Sequence, residues 1–78
     1  MIEFEWDPSK ARTNLRRHHV AFREAATVFR DSLAITIFDP HHSQEEDRYI
    51  TIGASAGGRI LMVAHTDRGP PASLLREN

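Results

Sequence analysis

The chain has 78 residues, of which 40% are hydrophobic and 27% are charged, and it carries a formal net charge of −1 with no cysteine. This length allows one domain, and the composition is typical of a globular chain rather than a disordered one. Disulfides and thiolate metal sites are excluded, and no apolar run approaches the roughly 20 residues that cross a bilayer. We therefore expect a single domain over residues 1–78 that does not enter a membrane.

The charges are segregated along the sequence. Residues 9–30 contain six of the ten basic residues and a single acid, Glu24, whereas the segments on both sides are acidic. A basic block on one element can attract phosphate even when the whole chain is close to neutral. The plainer interpretation is a solvated helix face, and charge alone does not decide between the two.

The first half of the chain predicts a strand followed by two helices. Residues 2–6 alternate between apolar and acidic side chains, which is the period of a half-buried strand. Asp7-Pro8 then favours a helix start, because Asp accepts backbone N–H bonds at a cap and Pro fits the first turn. This helix should cover about 8–18, and apolar residues at i, i+3, i+4 and i+7 predict a second helix over 22–30.

The second half predicts three strands, at 34–38, 48–53 and 59–66, with a glycine-containing turn over 55–58. The last strand is apolar on both faces, which is typical of a central strand. The order β-α-α-β-β-β, with two helices on one face of a small, largely antiparallel sheet, defines an α+β fold. The expected core consists of a sheet face formed by Leu61, Val63, Ile50 and Ile52, covered by Phe22, Ala25 and Phe29.

The length of the turn decides which residues meet across the last hairpin. A four-residue turn over 55–58 sets Arg48 against His65, whereas a two-residue turn at 57–58 sets His65 against Ile50. In the first arrangement the guanidinium would keep the imidazole neutral, as a general base near pH 7 requires, and Arg would match phosphate oxygens. The alternative is that Arg48 and His65 are ordinary residues at strand ends.

The five histidines do not have the spacing of a metal site. His18-His19 and His41-His42 are adjacent pairs, whose side chains point apart on regular elements, and neither forms a His-x-x-x-His pattern. We therefore predict no metal and no cofactor. The residues by themselves indicate a small α+β domain with a basic helix, and they do not separate an enzyme from a binding module.

Several sequence clusters occur together in this chain. The first reads Phe4-Glu5-Trp6-Asp7-Pro8, with Lys10, Asn14-Leu15 and His18 after it. The second has Val20, Phe22, Glu24-Ala25-Ala26, Val28-Phe29 and Asp31, and the third has Asp39-Pro40, His42-Ser43, Glu46, Arg48, Ile52-Gly53, Arg59, Leu61 and Val63. Over about residues 4–68, this set resembles the BrnT family of type II toxins.

The resemblance implies a RelE-like fold and a metal-independent endoribonuclease that cleaves RNA by attack of the 2′-hydroxyl and inhibits translation in the cytoplasm. It also implies a BrnA-type antitoxin partner, through which alone the complex would contact DNA. For catalysis and phosphate contact we expect His65 as base or acid, with Arg48, Arg59 and Arg68. For positioning RNA we expect Lys10, Arg12, Arg16 and Arg17.

The last ten residues depart from the family pattern. Family members continue beyond the position of Arg68 with another strand and a basic helix, whereas this chain reads Gly69-Pro70-Pro71, and proline cannot continue a strand ladder. We therefore expect a divergent tail over 69–78 and a toxin without the usual last strand and helix. The alternative function is a catalytically inactive, truncated scaffold that only binds protein, and an uncovered sheet edge also predicts a homodimer.

Overall fold

The computed structural model describes residues 2–42 and 47–66. In chain order the elements are β1 (Ile2–Glu5), a 3-10 turn (Pro8–Lys10) leading into α1 (Ala11–His18), α2 (Phe22–Thr27) continued by a 3-10 turn (Val28–Arg30), β2 (Ile35–Phe38), a 3-10 turn (Pro40–His42), β3 (Arg48–Ala54) and β4 (Ile60–Thr66). This order confirms the predicted β-α-α-β-β-β arrangement. No helix in the described ranges is long and apolar enough to cross a membrane.

The four strands form one mixed sheet in the order β1-β4-β3-β2. β1 runs parallel to β4, and the other two neighbouring pairs are antiparallel. The α+β class and the largely antiparallel sheet are thus confirmed. The predicted central place of β4 is confirmed, because β4 lies between β1 and β3, and its alternate residues Met62 and Ala64 are only partly exposed.

The pairing of β3 with β4 differs by one residue from the predicted register. Tyr49 faces His65 and Arg48 faces Thr66, so both predicted partners of His65, Arg48 and Ile50, were wrong. The turn explains the difference, because the Ser55 N–H donates to the Arg59 carbonyl at 2.7 Å and leaves a three-residue loop. Gly58 closes this loop with φ +82°, the left-handed residue that such hairpins require.

The slip of one residue also changes which side chains form the core. We call the face that carries Leu61 and Val63 the inner face; it packs against α2, and Ala25 is fully buried there. Phe22 and Phe29 pack against this core while partly buried, which confirms the predicted cover. Ile50 and Ile52 were predicted on the same face wrongly, because a one-residue shift moves a strand's side chains to the other side.

The opposite side of the sheet, which we call the outer face, carries alternate residues of all four strands. Ile52 stands between Met62 and Ile35, and Ile50 stands between Ala64 and Ile37. Across β4, the parallel strand β1 adds Glu3 and Glu5 to the same face. The outer face is therefore apolar at the β2 side and acidic at the β1 side.

Candidate functional site

An open groove of about 750 Å³ lies between α1 and the outer face of the sheet. Its wall on the helix side is formed by Lys10, Thr13, Asn14, Arg17 and His18. The sheet side is formed by Glu3, Phe4 and Glu5 of β1, by Arg48 and Ile50 of β3, and by Met62 and Ala64 of β4, with Asp39 between β2 and β3. The groove thus brings together residues that are far apart in sequence.

Helical spacing separates the four basic residues that were predicted to position RNA. Lys10 and Arg17 are seven residues apart and both line the groove, because residues at i, i+3, i+4 and i+7 share one helix face. Arg12 and Arg16 are also exposed, but they are not among the groove-lining residues. Lys10 and Arg17 therefore lie in the groove, whereas Arg12 and Arg16 lie on the protein surface outside it.

Asn14 fixes α1 against the free side of β1. Its Nδ2 donates to the Glu5 carbonyl at 2.9 Å, and its Oδ1 accepts the Glu5 N–H at 3.2 Å. The carboxamide thereby replaces a neighbouring strand at this residue, and only 4% of Asn14 is exposed. This pair of hydrogen bonds holds the helical wall of the groove at a set distance from the sheet.

The groove is mixed in charge, with Lys10, Arg17 and Arg48 as cations. Asp7 lies close to two of them: its pKa is lowered first by the backbone N–H and hydroxyl of Ser9, and further by the charges of Lys10 and Arg48. Lys10, in the turn before α1, and Arg48, on β3, therefore both act on the Asp7 carboxylate. The Asp7 carboxylate offsets part of the positive charge that a phosphate group would meet at these two cations.

Three carboxylates of the groove, Glu3, Glu5 and Asp39, offset these cations. Glu3 and Glu5 stand on β1, opposite Met62 and Ala64 of β4. An anionic ligand would therefore be repelled from the β1 side and attracted to α1 and β3. The charge pattern therefore gives the groove a positive side and a negative side, which would orient a charged ligand.

His65 is a buried residue of the inner face and does not line the groove. It is 5% exposed, its Nε2 lies 2.7 Å from the Thr51 hydroxyl, and its Nδ1 lies 2.5 Å from the Thr66 carbonyl. Because a carbonyl only accepts, Nδ1 carries the proton and Thr51 donates to Nε2. Burial lowers the pKa of His65, opposed in part by the bond to Thr66, so the neutral imidazole does not depend on Arg48.

The surroundings of His65 complete a network of polar and aromatic groups. The Thr51 hydroxyl also contacts the Thr36 hydroxyl at 2.8 Å, and the rings of Phe29 and Tyr49 pack against the imidazole at centroid distances of 4.9 and 6.1 Å. Both ring nitrogens are thus engaged within the fold. A catalytic role for His65 stays a prediction.

Arg59 ties the last hairpin to α2. Its Nε donates to Glu24 Oε2 at 2.9 Å, its Nη2 donates to the His19 carbonyl at 2.7 Å and also contacts Glu24 Oε1. The Ser55 hydroxyl donates to the same carboxylate at 2.7 Å, and the pKa of Glu24 is lowered first by Arg59 and then by Ser55. Arg59 is therefore already bound within the fold, and its phosphate contact stays a prediction, as does that of Arg68, which lies outside the described residues.

Sequence patterns did not single out His18 as a groove residue. It was weighed as a metal ligand in an adjacent histidine pair and named in the family motif, but it was given no functional role. Its spacing of four from Asn14 nevertheless places it on the helix face of Asn14 and Arg17. Within residues 2–42 and 47–66, no three His, Asp or Glu side chains are grouped as metal ligands would be. The expectation of a metal-free site remains a prediction.

A comparison with known protein families shows which family the chain matches. A family model described as "Ribonuclease toxin, BrnT, of type II toxin-antitoxin system" matches residues 6–76. The matched range includes α1 and Arg48 of the groove, and it extends into the tail that was expected to diverge. No curated protein sequence matches the chain.

Proposed function

Because this chain belongs to the BrnT family of ribonuclease toxins of type II toxin-antitoxin systems, we propose that it cleaves RNA in the groove between α1 and the outer face. The observation that supports this placement is that Lys10, from the turn before α1, Arg17, from α1, and Arg48, from β3, all line the same groove. A guanidinium can hold two phosphate oxygens at once, and an ammonium adds a mobile positive charge. The same charges would hold the phosphate that reacts.

The rest of the groove suits a ribonucleotide. Ile50, Met62 and Ala64 offer an apolar floor on which a base can lie. Glu3 and Glu5 can accept hydrogen bonds from ribose hydroxyls while repelling phosphate toward the opposite wall. This division would orient a single RNA strand with its phosphates toward α1 and Arg48.

The chemistry requires only the RNA and the side chains of the protein. A base removes the proton from the 2′-hydroxyl, the 2′-oxygen bonds to phosphorus, and the bond from phosphorus to the 5′-oxygen breaks as that oxygen takes up a proton. The products are a 2′,3′-cyclic phosphate and a 5′-hydroxyl. Arg48 and Arg17 would stabilise the negative charge that accumulates on the phosphate during this step.

We assign the proton transfer at the 2′-hydroxyl to His18. Among the described residues it is the histidine that lines the groove, it is partly exposed, and it directly follows Arg17 on the helical wall. An imidazole suits this task because it can bind and release a proton near neutral pH. His65, on the inner face, is the alternative that the sequence suggests.

The test is cleavage of RNA by the purified chain, with detection of cyclic phosphate ends. His18→Gln should lower kcat by on the order of 100-fold, the usual contribution of a positioned base. The matched control is His19→Asn, because His19 is exposed, lies outside the groove and has a φ of 57° that Asn tolerates. The control should keep full activity.

Other outcomes of this experiment reassign the site or the function. If His65→Gln removes activity from a folded protein while His18→Gln does not, the proton transfer belongs to His65. If the intact chain cleaves no RNA, the scaffold that only binds protein becomes the better account. Circular dichroism of each variant separates these results from a loss of fold.

As a type II toxin the chain has an antitoxin partner. We place that partner over the groove, where it would exclude RNA, and we propose that it is of the BrnA type, acts in the cytoplasm and carries the DNA contact of the complex. Inhibition of translation would follow from RNA cleavage. Co-expression with the product of the adjacent reading frame should yield a complex and restore growth, and failure to form any complex would refute this partner.

A further inference from the structure

The two edges of the sheet are treated differently. At the β1 edge, the Asn14 side chain hydrogen-bonds the N–H and carbonyl of Glu5, and the side chains of Glu3 and Glu5 add negative charge. The β2 edge consists of Ile35-Thr36-Ile37-Phe38, with no charge and no proline, and all four residues are exposed. Charges and covering side chains are the usual means by which proteins prevent pairing at a sheet edge, and β2 has neither among the described residues.

The direction of the β2 backbone groups follows from one hydrogen bond. The Asp39 N–H donates to the Arg48 carbonyl at 2.9 Å, so Ile37 and Ile35 also exchange hydrogen bonds with β3. The alternate residues, Thr36 and Phe38, direct their N–H and carbonyl groups away from the sheet. Within residues 2–42 and 47–66 these outward groups have no backbone partner.

This edge is complementary to itself. If two β2 strands pair antiparallel about Thr36, the Thr36 N–H of each copy donates to the Thr36 carbonyl of the other. The Phe38 N–H of each copy then reaches the Ala34 carbonyl of the other. The Ala34 N–H already donates to the Asp31 carbonyl at 3.0 Å, so the pairs of Phe38 with Ala34 have one hydrogen bond each instead of two.

The side chains favour the same register. Ile35 of one copy stands opposite Ile37 of the other on the outer face, where these side chains are 62% and 48% exposed in the single chain. On the inner face Phe38, 49% exposed, stands opposite Ala34. A register centred on Ile37 would instead set Ile35 against an acid, Asp39, which costs apolar contact.

We propose that the β2 edge is a self-association surface, through which two copies of this chain form an antiparallel dimer centred on Thr36. The sheets join into one of eight strands, and the outer faces lie on the same side because opposed residues share a face. β2 and β1 are opposite edges of the sheet, so the groove beside α1 remains open in both copies. The proposal does not depend on ribonuclease activity.

The dimer is tested by measuring the mass of the full chain by sedimentation equilibrium across a hundredfold range of concentration. The average mass of the wild type should rise from 8.9 kDa toward twice that value as the protein concentration increases. The variant I35K/I37K places lysine against lysine across the interface and should remain monomeric. I35K/I37E removes the same apolar surface but places lysine opposite glutamate, and it should dimerise again.

Ile60→Lys is the matched control, because Ile60 is also an outer-face isoleucine, 50% exposed, but lies on β4. It should dimerise as the wild type does. A wild type that stays at the monomer mass throughout would overturn the proposal. So would an I35K/I37K variant that dimerises like the wild type, and an I35K/I37E variant that stays monomeric would refute the register about Thr36.

Discussion

Asn14 is a polar residue that the fold uses as a structural element. The sequence predicted a helix here, but nothing in its pattern indicated that Asn14, rather than Leu15, would be the buried residue of α1. Leu15 is 53% exposed, whereas Asn14 is 4% exposed. The reason is that β1 is an edge strand whose backbone groups at Glu5 have no neighbouring strand to bond among the described residues. Their hydrogen bonds to Asn14 orient α1 so that Asn14, and not Leu15, faces the sheet.

Replacing Asn14 should therefore destabilise the protein. Asn14→Ala leaves the Glu5 N–H and carbonyl without a partner, which should cost about 2 kcal/mol and lower Tm by roughly 10 °C. Thr13→Ala, its exposed neighbour, should change stability by less than about 0.5 kcal/mol. Equal melting temperatures for the two variants, measured by circular dichroism, would contradict the role of Asn14.

His65 should make stability fall in mildly acidic solution. Its pKa is lowered by burial in the native state, so below the ordinary value of 6.5 the unfolded chain binds a proton that the native chain resists. Stability therefore falls as pH drops from 6.5 toward the lowered native pKa. The pKa values of Glu24 and Asp31 are also lowered in the native state. Their protonation destabilises the protein only in more acidic solution, below pH 4.5 for Glu24 and below pH 3.8 for Asp31.

The measurement for His65 is Tm as a function of pH for the wild type and for His65→Gln. The variant should be less stable at pH 7, because it loses the packing of the imidazole, but its Tm should vary less with pH below 6.5. All other histidines are common to both proteins, so the difference between the two curves reports His65. Parallel curves would show that the imidazole is not held neutral.

At the scale of elements, the sequence predicted the helices and strands to within one or two residues, except at the helix ends that tighten into 3-10 turns. Periodicity carries that information locally. The register of β3 on β4 was missed because it depends on the conformation of one residue in the turn, Gly58, and a glycine-containing turn permits several loop lengths. That one-residue slip moved Arg48 and His65 to opposite faces.

Gly53 shows how closely the strands and the segment after α2 approach each other. A Cβ at this position would lie 2.9 Å from Ala34 Cβ and 3.1 Å from both Asp31 Oδ2 and Val28 Cγ1. The Asp31 carboxylate is also fixed by the Ala54 N–H at 2.8 Å. The glycine is thus required by space rather than by backbone conformation.

Gly53→Ala should cost about 1–3 kcal/mol through overpacking. The comparison is Gly57→Ala, whose added methyl group would come close to one side chain, Glu24 with its Oε2 at 2.9 Å, whereas at Gly53 it would press on three side chains. Urea unfolding should show the larger loss for Gly53→Ala. Equal urea midpoints for the two variants would contradict this, because they would show that the segment after α2 moves aside for the methyl group at residue 53 without loss of stability.

At the scale of the whole molecule, function depends on which residues the fold brings to one groove. The sequence indicated a basic first helix and a basic strand end, and the structure places Lys10, Arg17 and Arg48 around the same space. It could not indicate that Arg12 and Arg16 would lie outside that space, since the orientation of α1 is set by the bond of Asn14 to Glu5. The candidate site was therefore predicted in part.

The most direct test of the groove as the RNA-cleaving site compares two double variants of the same helical segment. K10Q/R17Q and R12Q/R16Q each remove two positive charges, but only the first removes charges that line the groove. We predict that kcat/KM for RNA cleavage falls by on the order of 100-fold in K10Q/R17Q and by no more than a few-fold in R12Q/R16Q, because each specific phosphate contact contributes about 1.5 kcal/mol. Equal losses in the two variants, or full activity in K10Q/R17Q, would contradict the assignment.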